Sequence, residues 1–343
     1  MKKILSLILC VMLLVPALAM AEGEQVVNVY TWETYISDAV IADFEAATGI
    51  KVNYSPLSSN EEMLAKMQLN GGSEYDIIIA GDYVLNVMRK EGLLYKLNKD
   101  LLPNYENLNP DYLGQYYDPD NEYTVPYTAG SPLIVYDPAL VEKEITGYND
   151  LWDESLADSV VLLDDARVTV GMVLLSMGQS MNTTDPDILA QAAEKLDSLY
   201  GNIRAFDYDT PYTALISGEC AVGHMFTPYV IMALNDRPDL KVVAPQEGLG
   251  FGIDCLVIPV NAPHPENAHA LLNFLMDAEI AARTTQDQMY LNPNKAAEAF
   301  LPANYADNPA FVTDEQIRSA EFIMDVGETE TTFQQIWQDF KLQ

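Results

Sequence analysis

Basic residues, cysteine and histidine are scarce in this 343-residue chain. It has 18 Lys and Arg against 51 Asp and Glu, which gives a formal net charge of −33. We expect no nucleic-acid partner, because nucleic acids are bound by surfaces rich in Lys and Arg. An acidic surface attracts cations over roughly 8–10 Å in ordinary salt, although it also serves solubility alone.

The few histidines and cysteines form no array with the spacing of a metal site, so we expect no structural metal and no cofactor. Cys10 lies in the N-terminal segment, which leaves Cys220 and Cys255 in the rest of the chain. These two could pair in an oxidising compartment or remain buried thiols. The second interpretation is favoured, since free cysteine behaves as a small apolar residue. The histidines are His224, His264 and His269.

Sequence motifs of common enzymes are also missing, and we expect no catalytic residue. There is no Gly-x-Ser-x-Gly motif, and the glycines at 248, 250 and 252 precede a strand without a following Gly-Lys-Ser/Thr. Asp164 and Asp165 are adjacent on an extended chain, so their side chains point to opposite faces and do not share a proton. We expect one of them to face a cleft and the other to face backbone or solvent.

The chain has one long apolar run, and it lies at the N-terminus. Lys2 and Lys3 precede an apolar stretch over residues 4–18, which ends in Ala19, Met20 and Ala21. This pattern predicts a signal peptide over residues 1–21, cleaved near Ala21, and therefore a periplasmic protein. A membrane-spanning helix needs about 20 apolar residues, and Pro16 interrupts the run before that length.

Alternating strand and helix patterns predict an α/β fold with more than one lobe, because the chain exceeds the size of a usual single core. The region 93–123 lacks a steady period and is predicted to be a long surface excursion. We predict strands at 26–30, 50–54, 75–80, 131–136, 160–163, 203–206, 221–226, 241–244 and 255–259. We predict helices at 36–48, 60–70, 168–177, 186–200, 229–234, 265–284, 314–324 and 331–340.

Ligands of open α/β sheets bind at the carboxyl ends of the strands, and here those ends carry aromatic rings and carboxylates. An ammonium group gains there from charge-assisted hydrogen bonds and from aromatic faces, while methylenes pack on the same rings. Any single aromatic is more often core than site. The residues selected by this rule are Trp32, Glu33, Thr34 and Tyr35, Gly81, Asp82 and Tyr83, Asp165 and Phe226.

Motifs along the whole chain after residue 21 resemble those of a known family. They include residues 30–35, 44–54, 59–61, 75–76, 88–92, 107–108, 123–127, 164–167, 182–186, 252–254, 273–275 and 325–327. The chain resembles the spermidine/putrescine-binding proteins of bacterial polyamine ABC importers, which are periplasmic binding proteins of the two-lobed type II kind. This resemblance implies two lobes, each a doubly wound mixed sheet, with the ligand in the cleft between them.

The resemblance also implies boundaries and partners. The first lobe would contain residues 22–129 and 253–299, and the second residues 130–252 and 300–343. Hinge crossings would lie near Ala129 and Gly130, near Phe251 and Gly252, and near Phe300. The expected partners are a small polyamine and the permease and ATPase subunits of an importer, and we expect a monomer.

Site residues follow from the resemblance position by position. It implies a cleft wall formed by Trp32, Glu33, Thr34 and Tyr35, a stacking ring at Tyr83, amine-binding carboxylates at Asp165 and Asp254, and further aromatics at Phe226 and Tyr290. Phe226 stands where the family has a tryptophan. Three positions depart further: Val168 replaces a glutamate, Gly252 a tryptophan and Ile323 a glutamine.

These departures leave the ligand open between putrescine and spermidine. A second hypothesis keeps the fold but changes the solute to another organic cation or small molecule. A third is a secreted hydrolase that uses Asp165 and Glu33, which would need two carboxyls facing each other at about 5–9.5 Å.

Overall fold

The computed structural model describes residues 25–303 and 305–343. The predicted signal peptide, residues 1–21, lies outside these residues. Within them, no helix combines the length and the apolar character needed to cross a membrane.

Eleven strands in the described residues form two mixed sheets, as predicted for two α/β lobes. They are β1 (Val26–Thr31), β2 (Lys51–Pro56), β3 (Ile77–Gly81), β4 (Thr124–Gly130), β5 (Pro132–Tyr136), β6 (Val160–Leu163), β7 (Ile203–Asp207), β8 (Val222–Phe226), β9 (Lys241–Val243), β10 (Gly250–Val257) and β11 (Glu321–Phe322). The first sheet has the order β11-β10-β3-β1-β2, with β4 also paired to β10. The second has the order β7-β6-β8-β5-β9.

Helices cover both faces of the sheets. They are α1 (Asp38–Thr48), α2 (Asn60–Asn70), α3 (Asp82–Lys90), α4 (Ala166–Ser176), α5 (Pro186–Asp197), α6 (Tyr212–Ile216), α7 (Thr227–Asp236), α8 (Pro265–Leu275), α9 (Ala278–Gln288), α10 (Asp314–Ser319) and α11 (Glu330–Lys341). Helix α2 has the predicted bounds because its ends are capped. The Ser59 hydroxyl accepts a hydrogen bond from the Glu62 N–H, and Gly71 ends the helix at a φ of 66°.

Apolar side chains fill both faces of the first sheet and the space around the second. On one face of the first sheet, Phe44 of α1 packs with Phe274 of α8 at a ring distance of 5.4 Å. In the second lobe, Trp337 and Phe340 of α11 are buried and pack on Phe206 of β7. Cys220 and Cys255 are both free and buried, which confirms the prediction of two buried thiols.

Two predicted helices are wrong in their extent. The predicted helix 265–284 is two helices, because the Asp277 side chain accepts hydrogen bonds from the Glu279 and Ile280 N–H groups and starts α9 there. The predicted helix 314–324 ends at Ser319, and the chain continues into strand β11, which pairs with the start of β10.

Several elements were not predicted. Strand β4 contains Pro126, which lacks the N–H that a central strand needs, so its sequence does not read as a strand. Strand β10 begins at Gly250, inside the glycine-rich segment, and not at Cys255. Helices α3 and α6 were also missed.

The region 93–123 is folded against the first lobe, so the prediction of a surface excursion is wrong. It buries Leu102, Tyr112 and Tyr117, of which Tyr112 lies in a short 3₁₀ helix. The Asp118 carboxylate, which is 2% exposed, accepts hydrogen bonds from the N–H groups of Glu122, Tyr123 and Thr124 and from the Thr124 hydroxyl. A buried carboxylate thus organises a segment without regular structure.

Replacing Asp118 by alanine leaves several buried donors without an acceptor. We expect Asp118→Ala to lower the free energy of unfolding by about 3 kcal/mol, since hydrogen bonds to charged groups are worth about 1.5–3 kcal/mol each and losses within one network do not add fully. Urea unfolding measures the difference. The control is Asp120→Ala on the exposed side of the same turn. A loss in Asp118→Ala no larger than in the control contradicts the assigned role.

Candidate ligand-binding site

The chain turns sharply after β1, and the turn forms one wall of the candidate site. Thr34 adopts a φ of 66°, and the Tyr35 N–H donates to the Trp32 carbonyl at 3.2 Å. Three side chains hold the turn from outside, each by a hydrogen bond to one carbonyl. The Tyr54 hydroxyl bonds to the carbonyl of Trp32, Gln288 to that of Thr34, and the Tyr127 hydroxyl to that of Tyr35.

The four residues of this turn differ in exposure. Trp32 and Tyr35 are half-buried, with Trp32 packed against the first-lobe core. Glu33 and Thr34 are exposed. Glu33 therefore lies at the rim of the site, and the turn presents Tyr35 inward.

Tyr35 brings together three of the predicted site residues. Its hydroxyl donates to Asp254 Oδ2 at 2.5 Å, and its ring meets the ring of Tyr290 edge-on at 6.3 Å. Burial raises the pKa of the Asp254 carboxyl to about 6, against the opposing effect of the Tyr35 hydrogen bond. In the described residues no Lys or Arg forms an ion pair with Asp254, so its charge lacks a protein cation.

Tyr83 stands at the start of α3, close to the first turn of α2. Its hydroxyl accepts a hydrogen bond from Asn60 at 2.9 Å and donates one to Glu61 at 3.0 Å. Burial, followed by the nearby Glu61 carboxylate and with a smaller contribution from Asp165, raises the pKa of Tyr83. Tyr83 belongs to the first lobe and Asp165 to the second, so both lobes contribute to this region.

Asp165 and Phe226 lie where two strands of the second sheet end and helices begin. The Asp165 carboxylate caps α4 by accepting a hydrogen bond from the Val168 N–H at 2.9 Å, and burial raises its pKa. The adjacent Asp164, expected to face backbone or solvent, instead accepts hydrogen bonds from the side chains of Trp337 and Lys341 at 2.7 and 2.6 Å. Phe226 caps α7.

Gly130 brings the rings of Tyr290 and Phe226 near each other across the lobe boundary. A Cβ atom at Gly130 would lie 3.1 Å from the Tyr290 ring and 4.0 Å from the Phe226 ring. Gly130 pairs with Gly252 between β4 and β10. Gly130 therefore lets the Tyr290 ring pack close to the backbone, while Gly252 opposite it has no neighbour within 4 Å of a Cβ position.

Sequence reasoning missed several residues of this region. Tyr208 follows strand β7, so the strand-end rule could have found it. The residue is 52% exposed, while desolvation and then the nearby Asp165 raise the pKa of its hydroxyl to about 12. Asp254 and Tyr229 also contribute to this pKa, so Tyr208 lies near both carboxylates of the site. Glu61 accepts a hydrogen bond from Tyr83, but nothing in the sequence except its place in the motif 59–61 indicated that it belongs to the site.

The three departures from the family pattern have different surroundings. A Cβ atom at Gly252 would have no neighbour within 4 Å, so the position borders open space. Val168 is 2% exposed, and Ile323 is half-buried against the second core. Among the described residues, no group of three or more His, Cys, Asp or Glu side chains could hold a metal ion.

Two mixed α/β sheets with aromatic and acidic residues at facing strand ends define a two-lobed solute-binding protein of type II. A family match over residues 39–313 supports the same class. The chain belongs to the bacterial extracellular solute-binding protein family, whose members are receptors and not enzymes. The hydrolase hypothesis is thereby set aside.

Individual relatives cover nearly the whole chain. A spermidine/putrescine-binding periplasmic protein of Salmonella typhimurium is 36% identical over 94% of this chain and 93% of its own. A putrescine/agmatine-binding protein of Pseudomonas aeruginosa is 29% identical over 94% of each chain. The solved structure of a spermidine/putrescine ABC transporter substrate-binding protein from Streptococcus pneumoniae has a TM-score of 0.83 and 31% identity. It covers 93% of this chain and 99% of its own.

The raised pKa of Asp254 predicts how stability depends on pH. Because the folded protein binds this proton more tightly than the unfolded chain, the associated stability is complete below about pH 4 and is lost as the pH rises through about 6. We expect Asp254→Asn to match the wild type at pH 4 and to exceed its free energy of unfolding by about 2–3 kcal/mol at pH 7.5. Urea unfolding at both pH values measures this, and an equal difference at both contradicts it.

Proposed function

We propose that this protein binds a polyamine, putrescine or spermidine, between its lobes and delivers it to the permease of an ABC importer. The proposal rests on the surroundings of the Asp254 carboxylate. Its carboxylate is desolvated, accepts a hydrogen bond from Tyr35 and has no cation from the described protein residues. A ligand ammonium group supplies both the missing charge and the missing hydrogen-bond donors.

Aromatic rings around the carboxylates support an aliphatic diamine or triamine over a simple ion. Ring faces are available from Tyr35, Tyr83, Tyr290 and Phe226. Burying a ligand methylene against such a face stabilises the complex by about 0.8 kcal/mol. Asp165, on the other lobe, is placed to receive a second ammonium group. The names of the relatives from Salmonella and Streptococcus, which cite spermidine and putrescine, agree with this ligand class.

Lobe closure is part of the proposal. The Ser131 hydroxyl, between β4 and β5, donates to the Gly250 carbonyl at 2.6 Å, and the Thr227 hydroxyl donates to the Ser131 carbonyl at 3.2 Å. These bonds join two chain crossings, about which the lobes would rotate. The predicted boundaries at 129/130 and 252/253 lie inside strands β4 and β10, close to these crossings.

The third crossing follows from the contacts of the C-terminal segment. Arg318 of α10 bonds Asp111 of the first lobe at 2.9 Å, whereas Glu330 of α11 bonds Arg167 of the second lobe at 3.3 Å. We place this crossing between these residues, at 320–329, and not near Phe300 as expected from the sequence. Export with cleavage near Ala21, a monomeric state and transfer to a permease and its ATPase also belong to this proposal.

Calorimetry with putrescine, spermidine, spermine and cadaverine tests the ligand class. We expect Asp254→Asn to weaken binding by about 2–5 kcal/mol, or roughly 30-fold and more in Kd, because an ammonium group is left without its counter-charge. Asp120→Asn, an exposed carboxylate outside the site, should bind as the wild type does. Absence of heat or thermal shift with all four amines refutes the proposal, and unchanged affinity in Asp254→Asn removes this residue from the site.

Gly252 tests why this chain departs from the family pattern. Since the space beside it is open, a tryptophan there adds a ring for the ligand's methylenes without a clash at Cβ. We expect Gly252→Trp to tighten spermidine binding by about 1–2 kcal/mol, and putrescine binding by less, because spermidine has more methylenes to cover. Gly252→Ala is the control for backbone effects. Equal gains for both amines, or a loss for spermidine, contradict the expectation.

A further inference from the structure

Asp82 is a buried carboxyl beside the site that has no role in the function described so far. It is the first residue of α3, directly after β3. The register of β3 and β10 pairs Gly81 with Asp254, so Asp82 is one residue beyond the partner of Asp254. Opposed residues of an antiparallel pair have Cα atoms about 4.5–5.5 Å apart, which makes Asp82 and Asp254 near neighbours.

The Asp82 side chain is 2% exposed, and its Oδ2 atom is buried without a hydrogen-bond partner. An ionised carboxylate in such a place is strongly disfavoured unless a cation or several donors compensate it. The other oxygen lies near the N–H groups of Tyr83 and Ile253, which favour the ionised form. These donors do not offset the burial, since the pKa of Asp82 remains raised well above its usual range.

The groups around Asp82 are acidic or neutral. Asp254 and Cys255 of β10 and Tyr116 and Tyr117 of the 113–123 segment are each electrostatically coupled to it. Arg89 lies on α3 itself, where it donates to the Tyr117 carbonyl at 2.5 Å and to Asn86 at 3.2 Å. No cation among the described residues therefore pairs with Asp82.

We propose that Asp82 holds a proton at neutral pH while the cleft is empty and releases it to solvent when a cation binds at Asp254. The O–H bond of Asp82 breaks, the proton goes to the buffer, and the ligand keeps its charge. The step rests on the proposed function, since an organic cation must occupy the site. Asp82 is then a positioning residue that acts through Asp254 and adds a second negative charge behind the ligand.

The physical reason is the coupling of the two carboxylates. In the empty site, ionised Asp254 repels a second negative charge at Asp82. A bound ammonium group cancels that repulsion and attracts the new carboxylate. By linkage, ligand affinity should keep increasing with pH above about 7, where Asp254 is already mostly ionised, until Asp82 loses its proton in the free protein as well.

A ligand-free measurement tests the first half of the proposal. Infrared spectra of the whole protein at pH 8 should contain the carbonyl band of a protonated carboxylic acid, and Asp82→Asn should lack it. The control Asp120→Asn should retain the band. A wild-type spectrum without the band, or a band that persists in Asp82→Asn, overturns the proposal whether or not any amine binds.

Calorimetry tests the second half. Putrescine and spermidine are titrated at pH 8 in two buffers of different ionisation enthalpy, which gives the number of protons released. We expect release of up to about one proton by the wild type and by Asp120→Asn, and none by Asp82→Asn. Between pH 7 and pH 8, the wild-type affinity should rise by up to 10-fold, while that of Asp82→Asn stays constant.

The outcomes separate the two proposals. Binding without proton release by the wild type shows a structural Asp82 and overturns this inference while the proposed function stands. Failure of both amines to bind refutes the proposed function and, with it, the release of a proton on binding. The infrared band then reports only whether Asp82 is protonated in the ligand-free protein.

Discussion

Desolvated negative charge without a protein cation is the constraint on which the site depends. Asp254 lies among aromatic rings and accepts a single side-chain hydrogen bond, from Tyr35. Its burial makes the ionised carboxylate unfavourable, which is why its pKa is raised. Asp118 and Asp164 of the same chain are, by contrast, compensated. Asp118 has four donors, and Asp164 has Lys341 and Trp337. The difference separates carboxylates that stabilise the fold from one that is kept for a ligand.

The fold creates this situation through the way its strands end. Strands β1, β3, β6 and β8 deliver their last residues to the boundary between the lobes, and helices begin there almost at once. The carboxylate of Asp165 is partly compensated by the N-terminus of α4, whereas Asp254 lies within a strand and has no helix to receive its charge. The two acidic positions are therefore unequal, and a ligand with two ammonium groups meets one strong and one moderated anion.

Much of the architecture could be predicted from periodicity and capping. Helix α2 and strand β6 have their predicted bounds because Ser59, Gly71 and a continuous apolar run mark them locally. Strand β4 could not be found this way, since its pairing to β10 depends on a segment more than 100 residues away and Pro126 obscures it. The split of α8 from α9 depends on one Asp277 cap, which periodicity alone does not reveal.

The site could be predicted in part for the same reason. Aromatics and acids that directly follow strands, such as Tyr35 and Asp165, are visible to a strand-end rule, and the family resemblance supplied Asp254 and Tyr290. Exposure could not be read from the sequence, so Glu33 and Thr34, which are exposed, were grouped with the half-buried Tyr35. The strand-end rule selected Asp82, but only the β3–β10 register shows that it lies next to Asp254.

The position of β10 also bears on how the chain folds. This strand lies between β3 and β4 in the first sheet, yet it is separated from β3 by about 170 residues of sequence. Until residues 250–257 have been synthesised, β3 has an open edge and the first lobe lacks a central strand. Closing such a long loop is slow compared with local pairing, so the strands of the second sheet, which lie within residues 132–243, should pair before β10 joins β3. The first sheet, with Asp254 on β10, is then completed late.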